Sequence, residues 1–91
     1  MAGIVALKIR ILPKSLDVSL DELKSIALKS MESLGAKNTT ISEEPIAFGL
    51  KALIITTAWP EERSTDEAEN LLNKLPGVSS SEIIDYRRAF G

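Results

Sequence analysis

Cysteine and histidine are both missing from this 91-residue chain. The first absence excludes disulfides and thiolate chemistry. The second removes the commonest general base near neutral pH and the commonest protein ligand for metals. Aromatic residues are scarce, with two Phe, one Trp and one Tyr, so where each one sits carries information. No apolar run reaches the ~18 residues of a membrane span, and the N-terminus lacks a signal-peptide pattern. The expected location is therefore the cytoplasm, with no membrane partner. A net charge of -2 argues against a strongly basic nucleic-acid binder.

What remains is the profile of a globular protein, 44% hydrophobic and 26% charged. The length suits one domain covering 1–91 rather than two. The opening GIVALKIRILP alternates Val5, Leu7, Ile9 and Ile11 with Ala6, Lys8 and Arg10. That period of two predicts a strand over 4–12, with one face buried and Lys8 and Arg10 on the other. Ser19-Leu20-Asp21-Glu22 has capping-box spacing. Leu20, Leu23, Ile26, Ala27, Met31 and Leu34 then recur at helical spacing, predicting a helix over 20–34 closed by Gly35.

Residues 37–44, KNTTISEE, read as a short polar strand at a sheet edge, bounded by Pro45. Residues 48–58, FGLKALIITTA, form a second long strand whose apolar residues fall on both sides, so periodicity does not fix its inward face. Trp59-Pro60-Glu61-Glu62-Arg63 reads as a loop. Ser64-Thr65-Asp66-Glu67 repeats the capping signature, and Ala68, Leu71, Leu72 and Leu75 continue a helix stopped at Pro76-Gly77. The tail VSSSEIIDYRRAF predicts a last strand, with a slip in alternation between Ile83 and Tyr86 that suits a bulge.

The order β-α-β-β-α-β predicts an α+β, ferredoxin-like sandwich, a four-stranded antiparallel sheet in spatial order 4-1-3-2 with both helices on one face. That fold serves many functions, so the function has to come from particular residues. An enzyme is disfavoured: no nucleophile has a histidine to activate it, and no phosphate loop, dinucleotide fingerprint or metal-ligand spacing occurs. No catalytic residue, metal or cofactor is therefore assigned. Glu43-Glu44 and Glu61-Glu62 read as solvated surface pairs beside turns. RNA binding on the sheet requires aromatic platforms in the central strands, and the first strand has none.

Protein contact is better supported. Phe48 either caps the core or, framed by Pro45 and Gly49, points outward as an interface anchor. Arg87 and Arg88 supply a second, electrostatic contact, lying at the opposite end of the sheet from Phe48. The alternative is a ligand-sensing or RNA-binding module of the same fold.

The stretch EEPIAFGLKAL, the acid-rich helix caps and the ending DYRRAF resemble the archaeal translation elongation factor 1-beta family across essentially the whole chain. The motif P-I-x-F-G-L/I-K is the most specific part. The resemblance implies a ferredoxin-like fold and guanine nucleotide exchange on the GTPase elongation factor 1-alpha, with no bond made or broken. It assigns partner contacts to Pro45, Phe48, Gly49 and Lys51 in the motif and to Arg87 and Arg88 near the end. Phe48 would dock into the GTPase, and Arg88 would approach its Mg²⁺ and phosphates, where eukaryotic members carry Lys.

Overall fold

The computed structural model describes residues 3–90, and for Ala89 and Phe90 the backbone alone. Its elements are β1 (Ile4–Pro13), α1 (Leu20–Ser33), β2 (Lys37–Pro45), β3 (Lys51–Pro60), α2 (Thr65–Asn73) and β4 (Val78–Phe90). The strands form one antiparallel sheet in the order β2-β3-β1-β4. This is the ferredoxin-like sandwich expected from the element order.

Alternation along β1 sets the layers. Val5, Leu7, Ile9 and Ile11 are fully buried and stand opposite Trp59, Thr57, Ile55 and Leu53 of β3. Leu23, Ala27 and Met31 of α1 and Ala68 and Leu72 of α2 close over them in one cluster. Lys8 and Arg10 lie on the open face, as expected. β3 is apolar on both sides for a reason the period could not reveal. Ala52 and Ile54, at 0% and 8% exposure, are buried on the open face as well. Thr57 is the one buried polar side chain among the described residues. Its hydroxyl donates to the Lys37 carbonyl (3.1 Å) and therefore accepts from Thr39 (2.7 Å), so nothing polar is stranded.

The helix signals act locally. Ser19 Oγ accepts from the Glu22 amide at 3.3 Å, the spacing its sequence implies. Ser64 Oγ accepts instead from Asp66, one residue short of the box expected with Glu67. At the far end of α1, the Ala36 amide reaches the Met31 carbonyl (3.1 Å) and Gly35 reaches Glu32 (3.0 Å). Gly35, at φ 91°, supplies the left-handed residue this closure needs.

Several boundaries differ from the sequence expectation. β3 begins at Lys51 rather than Phe48, because the preceding residues form a tight turn. It runs on through Trp59 and Pro60, which the sequence placed in a loop; pairing of Trp59 with Val5 keeps that end in the ladder. β2 spans nine residues, with an extra residue next to Asn38, whose φ is 54°. α2 stops at Asn73, short of Leu75. In β4, Ile83 pairs with Ile9 and Asp85 with Lys8, so Ile84 is the additional residue where alternation slipped.

Trp59 fastens the last loop of the sandwich. Its indole is fully buried and donates to the Arg63 carbonyl at 2.8 Å, while the Arg63 guanidinium donates to the Leu34 carbonyl at the end of α1 and to Glu67 at 3.1 Å. Trp59→Phe leaves that carbonyl without its donor and a void beside it. The expected loss is about 2 kcal/mol, read from the denaturant midpoint. An unchanged midpoint would mean the indole hydrogen bond is replaced at no cost.

Candidate functional site

The connection from β2 to β3 is built on strain. The Leu50 amide donates to the Ala47 carbonyl (2.9 Å) and the Ile46 amide to the Leu50 carbonyl (3.0 Å). The two residues between, Phe48 and Gly49, have φ of 53° and 80°. Two successive left-handed residues are the signature of a type I′ turn, where Asn-Gly is the usual pair because it tolerates that conformation. Gly49 takes it freely. Phe48 does so at a cost of about 1–2 kcal/mol, since its Cβ crowds the following carbonyl. Its ring returns nothing to the core, being 94% exposed. Of the two sequence readings, the core cap is excluded and the outward ring is what the chain adopts. Pro45 closes β2 opposite Lys51, the first residue of β3.

Lys51 is not a free cation. Its ammonium lies 3.3 Å from Glu43 Oε1, and Lys24 of α1 lies 2.6 Å from Glu43 Oε2. One carboxylate thus joins α1, β2 and β3 at the root of the turn. The hydrogen bond from Lys24, then that from Lys51, holds the Glu43 carboxyl below the usual glutamate range. The same bond raises the Lys24 ammonium above its ordinary value. The sequence alone presents Glu43 as half of a solvated pair. Its partners stand 19 and 8 residues away, so no local pattern could reveal them.

The basic end is arranged differently from the sequence expectation. Arg87 pairs in register with Ala6 and Arg88 with buried Val5, so adjacent arginines point to opposite faces of the sheet. They do not form one cationic patch. Arg87 Nε contacts Asp85 Oδ1 at 3.2 Å on the open face, and Arg88 is paired with Glu61 on the helix side. Tyr86, half-exposed, shares the side of Arg88. Both guanidinium groups are thus held by acids rather than free, contrary to what a wedge of unpaired charge requires. Both remain well exposed, at 79% and 63%.

The strand register places the ring and the cation far apart. Arg88, Val5 and Trp59 lie side by side at one end of the sheet, while β3 starts at Lys51 beside the Phe48 turn. The eight steps between Lys51 and Trp59 span about 26 Å. This opposite-end placement agrees with the sequence reading. The open sheet face between them does not favour nucleic acid. Two of its cations are paired, Arg10 with Glu82 at 3.6 Å and Arg87 with Asp85 at 3.2 Å, and Trp59 is on the other side. Among the described residues no group of acids is gathered to hold a metal, and no helix is long and apolar enough to cross a membrane.

A rigid sandwich presenting an aromatic on one turn and paired cations at its far end has the form of a contact module. Residues 6–88 match the family described as EF-1 guanine nucleotide exchange domain, and the chain belongs to it. It is 46% identical over 88 residues to a protein named elongation factor 1-beta from Methanosarcina barkeri, covering 94% of this chain and 98% of that protein. A protein of the same name from Methanocella arvoryzae is 42% identical over 91 residues, covering 99% and 100%. Another, from Sulfurisphaera tokodaii, is 37% identical over 86 residues, covering 92% and 93%. The shared family and names support a role in EF-1 nucleotide exchange.

Two predictions rest on this geometry. Phe48→Asn should stabilise the domain by about 1 kcal/mol in denaturant unfolding, because Asn relieves the left-handed strain and the lost ring was in water. A destabilised variant would show that the ring supports its own fold. Glu43 ionises more easily when folded, so its stabilisation is complete above its unfolded pKa and is lost as pH falls through the folded one. Lys24 mirrors it: its contribution is present below its unfolded pKa and lost as pH rises through the raised folded value. Melting temperature should therefore fall more steeply in acid for wild type than for Glu43→Gln; parallel slopes would deny the network any weight.

Proposed function

We propose that this protein promotes GDP release from elongation factor 1-alpha in the cytoplasm, acting by contact and without making or breaking a bond. The observation that carries the reading is Phe48, held in a strained turn with its ring 94% exposed, inside a chain of the exchange family. A GTPase grips its nucleotide through backbone amides, a lysine and Mg²⁺. Phe48 docks into the GTPase, framed by Pro45 and Gly49 and braced from below by Lys51. Arg88 acts at the other end, near the Mg²⁺ and phosphates, where an added positive charge repels the metal and loosens the grip. Arg87, on the open face, contributes to the approach of the partner's acidic surface.

Linkage sets the energetics. Whatever factor the protein takes from nucleotide affinity, nucleotide takes equally from the affinity for this protein. A coupling of about 4 kcal/mol is a thousandfold effect. A buried aromatic supplies about 2–4 kcal/mol of it at reduced entropic cost, because the turn already fixes its backbone. The remainder falls to the cation. Arg88 must trade Glu61 for its new surroundings, and an exposed ion pair of that kind is worth only about 0–1 kcal/mol.

The test is release of a fluorescent GDP analogue from purified elongation factor 1-alpha. Acceleration is expected, and none at saturating protein would overturn the reading. Phe48→Ala should weaken complex formation by about 30-fold or more, while Arg88→Ala should mainly slow release within a complex that still forms. If both variants lost only affinity, the division of roles would be wrong.

A further inference from the structure

We propose that Leu16, in the loop between β1 and α1, is a second docking residue that joins Phe48 and Ile46 in one apolar facet; the inference rests on the exchange reading above. Among the described residues Leu16 is the most exposed large hydrophobic after Phe48, at 66% against 94%, and Ile46 is 43% exposed. These side chains come from two separate loops, yet they meet at the same end of the sandwich. A Cβ placed on Gly49 would lie 3.6 Å from Leu16 Cδ2, so Leu16 rests on the backbone of the turn that lifts Phe48. Ile46 faces Leu50 across the same turn through its 3.0 Å amide bond.

Neither exposure has a structural use. Leu16 is outside the buried cluster and outside the partly buried hydrophobics packed on it, as are Ile46 and Phe48. The facet is convex, with the ring at its tip, so its complement is a concave apolar pocket with a shelf beside it. At this end of a second copy, the hollow beside Leu16 and Gly49 holds only about 60 Å³, too little for a phenyl ring. The three side chains present on the order of 400 Å² of apolar surface, well below the ~800 Å² per partner of a stable interface. The facet is therefore the apolar centre of a larger contact with the GTPase rather than a self-sufficient dimer contact. Phe48 fills the pocket, and Leu16 and Ile46 seal water from its rim, the arrangement that makes a buried aromatic count most.

The experiment titrates wild type, Leu16→Ser, Leu16→Met and Phe48→Ala against elongation factor 1-alpha in the fluorescent-GDP release assay, with Ile84→Ser, at the extra residue of β4, as a control. Leu16→Ser should raise the half-saturating concentration about tenfold with the saturated release rate unchanged. Leu16→Met, which keeps the apolar contact, should stay within about twofold of wild type, as should Ile84→Ser. Melting curves check that Leu16→Ser stays folded; should it not, Leu16→Ala takes its place and should raise the half-saturating concentration about fivefold. Wild-type behaviour of Leu16→Ser beside a defective Phe48→Ala would overturn the Leu16 assignment and leave the exchange reading standing. So would a loss in Leu16→Met as large as that in Leu16→Ser. Failure of wild type itself to accelerate release would overturn both, and concentration-dependent self-association abolished by Leu16→Ser would give the facet to a second copy instead.

Discussion

The pairing of β1 with β3 is the constraint from which the rest follows. Eight consecutive partners, from Ile4 opposite Pro60 to Ile11 opposite Leu53, hold the two longest apolar stretches in one register. A slip of one residue would turn Val5, Leu7, Ile9 and Ile11 to the open face and bring Lys8 and Arg10 under the helices, at a cost no compensating contact could meet. The register is therefore fixed by burial, and with it the distance between the two ends of the sheet. Arg88 is tied to Val5 at one end, and the Phe48 turn follows from the start of β3 at the other. The core works as a ruler: its energy keeps the base of the Phe48 turn and the Arg88 end of the sheet about 26 Å apart along β3.

At the Phe48 end, the fold holds a conformation that the turn alone would not choose. A phenylalanine at φ 53° costs energy locally, and the exposed ring recovers none of it. What maintains it is the surroundings: the two turn hydrogen bonds, Gly49 beside it, and the carboxylate of Glu43 gripping Lys24 and Lys51 beneath. Each ion pair is partly exposed and individually weak, but the shared acceptor ties a helix and two strands to the same point. A ring presented this way loses little freedom when it docks, since its backbone is already fixed. On the exchange reading proposed above, that is a route to affinity from a small surface, and it accounts for strain at a turn whose ring adds nothing to the core.

Most of the fold was legible from the chain, because period-two and helical spacings report burial directly. The element order, the sheet order and the open-face placement of Lys8 and Arg10 follow from those patterns alone. The boundaries that shifted are those where a tertiary contact overrode a local signal. Trp59 resembled a loop residue beside Pro60, but its indole has a buried site against β1 and an acceptor at Arg63, so the strand continues through it. Phe48 could be framed by Pro45 and Gly49 from sequence, yet whether it turned inward or outward depended on a pair of dihedral angles. The ion pairs were not legible at all. Glu43 and Glu61 looked like ordinary surface acids, and their partners, Lys24, Lys51 and Arg88, come from other elements brought near by the sheet. Leu16 carried no signal either, since a lone leucine in a polar loop becomes informative only when folding sets it against Gly49.

The pairing of Arg88 with Glu61 changes how the far end should be understood. A free guanidinium on a strand terminus would sample many rotamers and repel any basic surface it met first. Paired, it is held on the helix side of the sheet, beside the β3–α2 loop that Trp59 and Arg63 fasten to α1. The pair is exposed enough that water screens it, so its strength is too small to hold the arginine against a stronger anion. Neutralisation by Glu61 also keeps the resting surface close to balanced, as Asp85 does for Arg87. The same arginine becomes a strong local charge only where Glu61 is left behind and water is excluded, because Coulomb interactions grow as the effective dielectric falls. On the exchange reading proposed above, the charge acts at full strength only inside a formed contact.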